Sequence, residues 1–159
     1  MNIYQEMTNQ YSGYRDYQKE ISMINDKYYQ IKLQEELQPI IDWAIENDIS
    51  EEQLPRDVIA LSQLTKLHLN GNQLTALPES MGNLTQLTEL KLWNNQLTAL
   101  PEWIGNLTQL TELYLSGNQL TALPEWMGNL TRLTELKLWD TQLTALPEWI
   151  GNLTQLTTL

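Results

Sequence analysis

The sequence predicts an α/β solenoid: short parallel strands stacked side by side, with a helical segment in front. Two observations predict it. From Leu64 onward the chain repeats every 23 residues, and most of the repeating positions are leucine. Upstream, the apolar residues switch to helical spacing. A fixed period in this range marks a repeat architecture, in which each unit buries its apolar face only by stacking on its neighbours.

Residues 1–38 are the first element. Tyr14, Tyr17, Ile21, Ile24, Tyr28 and Ile31 alternate steps of three and four, which gathers them on one stripe of a helix. Ile3 and Met7 extend the phase, and Gln10 and Gly13 interrupt it. The expectation is an amphipathic helical arm packed on the following element. A coiled-coil or helical-hairpin association arm is the alternative, although the stripe is under three clean heptads. Residues 39–60 are expected to form a helical cap and a degenerate repeat, covering the open end of the array. Pro39 is expected near the start of a short helix carrying Ile40, Ile41, Ala44 and Ile45. Ser50 followed by Gln53 is a weaker helix-start signal. Leu54 to Gln63 aligns with the segment beginning at Leu77-Pro78, one period later.

Residues 61–159 hold four full turns and the start of a fifth. The first reads Leu64, Leu67, Leu69, Asn72, Leu74, Leu77, Pro78, Gly82, Leu84, and the pattern returns from Leu87, Leu110 and Leu133, then begins again at Leu156. In the second turn, Leu90 and Leu92 lie two apart, so both point into the core from one short strand while Lys91 faces out. Asn95 follows the strand, where its amide can bond to backbone left free by the turn. Leu97, Leu100, Ile104 and Leu107 fill the rest of the core; Pro101 stiffens the return path, and Gly105 is expected to allow a tight turn or a positive φ. A longer period overlies this one. The first and third turns share Gly-Asn (Gly71-Asn72, Gly117-Asn118), and the second and fourth share Lys-Leu-Trp (91–93, 137–139). The array looks copied as a 46-residue pair.

Leu87 to Leu97, LTELKLWNNQL, resembles the eleven-residue signature of the leucine-rich repeat family, and Thr98 to Gln109, TALPEWIGNLTQ, resembles its LP-x-x-IG type. The resemblance covers Leu54 to Leu159. It implies a curved solenoid with a parallel sheet on the concave side, used mostly to bind proteins. Thr141 departs from the pattern, standing where Asn72, Asn95 and Asn118 stand in the other turns. It lacks the two-sided amide, so the asparagine ladder is expected to be weaker there.

Three columns are expected to face outward from the strands. One holds Lys66, Glu89, Glu112, Glu135 and Thr158; the next His68, Lys91, Tyr114 and Lys137; the third Asn70, Trp93, Ser116 and Trp139. Large aromatics on a solvated sheet leave apolar area exposed, and such patches mark binding sites. The candidate partner-binding residues are therefore Trp93, Tyr114, Trp139, Lys91, Lys137, Glu89, Glu112, Glu135 and His68. The glutamate column could hold a hard cation but reads better as a solvated row balanced by the lysines, so no metal is expected. Trp103, Trp126 and Trp149 recur in Leu-Pro-Glu-Trp on the return path, with Ser80 in the equivalent place. They are expected to form a stacked, partly exposed aromatic ridge, with a second binding surface as the alternative.

Composition excludes other classes. The net charge is −11, with 12 acids and 5 bases in residues 1–60 and 8 acids and 4 bases in residues 61–159. Both halves would repel a phosphate backbone or an anionic membrane, so neither nucleic acid nor membrane is an expected partner. Without cysteine there are no disulfides or thiolate metal sites. The first residues lack a basic start and an apolar run, so no secretory signal is read and a cytoplasmic location is expected. The four Asn-Leu-Thr sequons are by-products of the repeat. His68, the sole histidine, has no nucleophile and acid around it, and no phosphate loop occurs, so neither enzyme nor cofactor is expected. The favoured reading is a protein-protein interaction module binding on the concave face. The alternatives are the front end of a longer effector or enzyme, and a carbohydrate-binding surface built on the aromatics. Self-association through the N-terminal arm or the C-terminal turn is a further expectation.

Overall fold

The structure, a computed structural model, describes residues 3–159, with side chains from Gln18 onward. The chain divides into two units, Met1–Glu35 and Glu36–Leu159. Helix α1 spans Ile3–Glu46 with Pro39 inside it, so the separate short helix expected to begin at Pro39 is instead the end of a 44-residue helix. An interior proline typically destabilises a helix by ~3 kcal/mol. Burial of Leu37, Ile40, Ile41 and Ala44 on either side of it offsets this. In the first unit the predicted stripe faces water: Ile24, Tyr28 and Ile31 are 62%, 69% and 49% exposed. Ile3, Met7, Tyr14 and Tyr17 lie outside the described side chains.

The second unit begins with the last turns of α1. Asp48 ends that helix in the left-handed region at φ 54. The amide of Ile49 donates to the Ala44 carbonyl and that of Asp48 to Ile45, the paired closure of a Schellman motif. Ser50 and Gln53 do not start a helix; the Gln53 amide donates to Ser50 Oγ (3.3 Å) in a turn. The next helix, α2 (Val58–Ser62), is capped by Asp57, whose carboxylate accepts from the Ala60 amide at 2.8 Å.

Four three-residue strands follow: β1 (Lys66–His68), β2 (Glu89–Lys91), β3 (Glu112–Tyr114) and β4 (Glu135–Lys137). They form one parallel sheet in sequence order, each residue pairing with the one 23 later. Glu135 also bridges Thr158 of the fifth turn. Each full turn returns through a single 3₁₀ segment (Glu79–Asn83, Glu102–Asn106, Glu125–Asn129, Glu148–Asn152) that starts after an extended proline. Proline fits because it fixes φ and leaves no amide unpaired at the start of the turn.

Between strands and 3₁₀ segments the leucines form one continuous core, with Leu90, Leu92, Leu97, Leu113, Leu115 and Leu120 at 0% exposure. Two polar ladders stitch the turns together. Asn95 accepts from the Asn72 and Leu74 amides and donates to the Leu69 and Leu92 carbonyls, joining turns one and two. Asn118 repeats this one turn on, with the Leu97 amide and the Leu92 and Leu115 carbonyls. Thr141 keeps only the bond to its own turn, to the Leu138 carbonyl at 2.8 Å. The second ladder is of threonines: the hydroxyls of Thr88, Thr111, Thr134 and Thr157 each donate to the carbonyl 23 residues earlier, at 3.0–3.1 Å.

A positive φ recurs at one place in each turn. Gly71, Asn94, Gly117 and Asp140, one per turn, all have positive φ (73, 54, 65 and 54), and these residue types tolerate it best. Gly82, Gly105 and Gly128 do not; they lie inside the 3₁₀ segments, so the tight turn expected at Gly105 forms without a positive φ. At the first two a tryptophan from the next turn packs closely: a Cβ at Gly82 would lie 2.9 Å from Trp103 Cβ, and one at Gly105 would lie 3.1 Å from Trp126 Cε3. Gly128 also faces the next turn's tryptophan, but a Cβ there would meet Trp149 Cβ at 3.4 Å, an ordinary contact. The expected ridge is therefore interlocked, and Trp103, at 5% exposure, is core rather than surface.

Candidate functional site

The sheet presents its outward columns along one face. In the first column the register sets Glu89, Glu112 and Glu135 side by side, roughly 4.8 Å apart, where like charges repel. The protein resolves this in two ways. Glu89 is buried, at 4% exposure, and is held by three bases: Lys66 Nζ at 2.6 Å, His68 Nε2 at 2.8 Å and Lys91 Nζ at 2.5 Å. Hydrogen bonds from Lys66 and Lys91 outweigh its burial and lower its pKa to about 2; the Lys66 ammonium is correspondingly raised. Glu112 and Glu135 instead share the Tyr114 hydroxyl, which donates at 3.0 and 2.8 Å. The Glu135 bond, with burial, pushes the Tyr114 phenol well above its usual range. Lys137 Nζ lies 3.8 Å from Glu135, and Lys91 Nζ sits 4.9 Å from the Tyr114 ring centre.

The glutamate column is thus the expected row only in part: Lys91 and Lys137 do balance it, and Glu112 and Glu135 are half-buried, but Glu89 is buried. Glu89 is spent on orienting Lys66, His68 and Lys91, and Tyr114 bridges its two neighbours. No cluster of three or more His, Asp or Glu able to hold a metal occurs among the described residues.

The third column makes a hollow. The backbone ladder continues past the strands, with Gly71 donating to the Trp93 carbonyl, Asn94 to Ser116 and Gly117 to Trp139. Trp93, Ser116 and Trp139 therefore stand in a row on three neighbouring turns. Two indoles flank one serine, and together with Tyr114 and Lys137 they line a hollow of about 230 Å³. Trp139 is 64% exposed, Trp93 half-buried, and Ser116 is 1% exposed with no hydrogen-bond partner on its hydroxyl.

Of the predicted residues, Trp93, Tyr114, Lys137 and Trp139 come together at this hollow, and Lys91 reaches it through the Tyr114 ring. His68 and Glu89 belong to the β1 end of the face, where a second depression is lined by Glu52, Gln53, Lys66, His68 and Asn70. Glu112 and Glu135 lie behind Tyr114. Ser116 and Lys66 belong to these surfaces without being among the residues the sequence singles out. The signal for Ser116 was in the sequence: a small residue between two tryptophans in one column.

The family model for the leucine-rich repeat region matches residues 44–159. The chain belongs to the leucine-rich repeat family. Its fold is similar to that of a leucine-rich repeat protein of Leptospira interrogans, at 33% identity and a TM-score of 0.53, over 64% of this chain and 32% of that one. It is likewise similar to an internalin of Listeria monocytogenes, at 35% identity and a TM-score of 0.57, over 64% of this chain and 30% of that one. The chain thus spans about a third of the length of those structures. Comparison with curated proteins returns no match. No helix among the described residues is long and apolar enough to cross a membrane.

Proposed function

We propose that this leucine-rich repeat protein binds a protein partner on the concave face, with Trp93, Tyr114 and Trp139 as anchors and Lys91 and Lys137 at their edges. The observation that supports the reading is the hollow lined by Trp93, Tyr114, Ser116, Lys137 and Trp139, on a face where Lys66, His68, Lys91 and the three glutamates are paired with one another or with Tyr114. Exposed aromatic rings backed by a fixed backbone lose little entropy on contact and dominate interfaces of this kind. Glu89, Glu112 and Glu135 act behind the surface, holding the lysines and Tyr114 in place. His68 and Lys66 extend the contact face towards β1.

The test is affinity capture with the wild-type chain beside Trp93→Ala and Trp139→Ala. Each substitution is expected to weaken binding by ~2 kcal/mol or more, with the melting curve nearly unchanged for Trp139, which is mostly exposed. A partner that binds both variants at wild-type strength overturns the concave-face assignment.

A further inference from the structure

The hollow has a selectivity written into its lining, and an inference about it rests on the concave-face reading above. We infer that the Trp93–Trp139 slot is a receptor for one aromatic side chain carrying a hydrogen-bonding group, a tyrosine foremost, presented by the protein partner.

Three features carry this. The first is spacing. Trp93 and Trp139 lie two strands apart, roughly 10 Å at the backbone, and a flat ring touching an indole on each side needs roughly 7 Å. The volume, about 230 Å³, is of side-chain size. The second feature is Ser116. It lies between the indoles, 1% exposed, and its hydroxyl has no partner, while its backbone carbonyl is already used by the Asn94 amide. A buried hydroxyl without a bond is unfavourable by ~1–3 kcal/mol, so an occupant that supplies the bond is preferred to one that does not. The third feature is Lys137 at the edge, whose ammonium favours the electron-rich face of a phenol or indole.

The same lining disfavours a sugar. Most of its surface is ring carbon, from Trp93, Tyr114 and Trp139. Most hydroxyls of a sugar placed here would lose water without gaining a partner.

The experiment titrates the full ¹⁵N-labelled chain with N-acetyl-L-tyrosinamide, N-acetyl-L-phenylalaninamide and methyl β-glucoside, following the indole N–H signals of Trp93 and Trp139. Saturable shifts are expected with tyrosinamide, at about fivefold lower concentration than with phenylalaninamide, the scale of one hydrogen bond. Ser116→Ala is expected to remove that difference while leaving the rest of the spectrum unchanged. Trp139→Ala, at an exposed position, is expected to abolish saturation altogether. Absence of saturable shifts overturns the inference, as does equal binding of the two amides or tighter binding of the glucoside. The broader reading is judged separately: if Trp93→Ala still loses the captured partner, the concave face stands and only the tyrosine slot falls.

Discussion

At the scale of single residues, the polar groups rather than the leucines distinguish one turn from another. Thr141 is the clearest case. It reaches the Leu138 carbonyl, but nothing at that position does for the Leu120 amide what Asn118 does for Leu97. Thr141→Asn is expected to raise stability by about 1 kcal/mol, the net worth of one hydrogen bond, read as a higher denaturant midpoint at unchanged slope. No gain would mean that the ladder ends at Asn118. Glu89 makes a prediction in pH. Its folded pKa is depressed to about 2 from the ordinary 4.5, so its contribution is complete above 4.5 and is lost as the pH falls towards 2. Glu89→Gln is expected to destabilise by about 2 kcal/mol at pH 7, with the gap to wild type closing through that window. A constant gap from pH 7 to pH 2 would show that the ion pairs contribute nothing. The sequence revealed the column in which Glu89 stands but not its burial. That depends on three bases, Lys66, His68 and Lys91, brought together from two strands.

At the scale of elements, the repeat period located every strand, since Leu67, Leu90, Leu113 and Leu136 could only be core. It did not reveal why the return path carries glycine. In a single sequence, Gly82 and Trp103 look like unrelated marks of one period, and only the stacking of turns shows the tryptophan resting where a methyl group would be. The two ends of the array supply the test. Gly82→Ala places a Cβ 2.9 Å from Trp103, whereas Gly151→Ala meets nothing within 4 Å. The first is expected to destabilise by roughly 1–3 kcal/mol through overpacking and the second to be neutral or mildly stabilising, both read from melting curves. Equal effects would remove the packing explanation. Helix α1 departs from its local signals for a related reason. Local rules place Pro39 at a helix start, and burial of Leu37, Ile40 and Ala44 overrides them.

At the scale of the whole molecule, burial declines along the last turn. Leu123 is 6% exposed and its counterpart Leu146 is 50%, while Leu100 is 7%. In an array where stability is shared between neighbours, amide exchange within the repeats is expected to be slowest near β2 and β3 and fastest at residues 145–159. Uniform protection to Leu159 would contradict that gradient. The alternation of turns has a consequence of another kind. Because tryptophan recurs on every second strand, the face is graduated in steps of roughly 9.6 Å, close to the span of three residues of extended peptide lying across the strands. A partner reading this face would meet its graduations at every third residue. Lengthening the array by a 46-residue pair would add one graduation, and by a single 23-residue turn none or one, according to the turn copied. The solenoid is in this sense a ruler, and its unit is the pair.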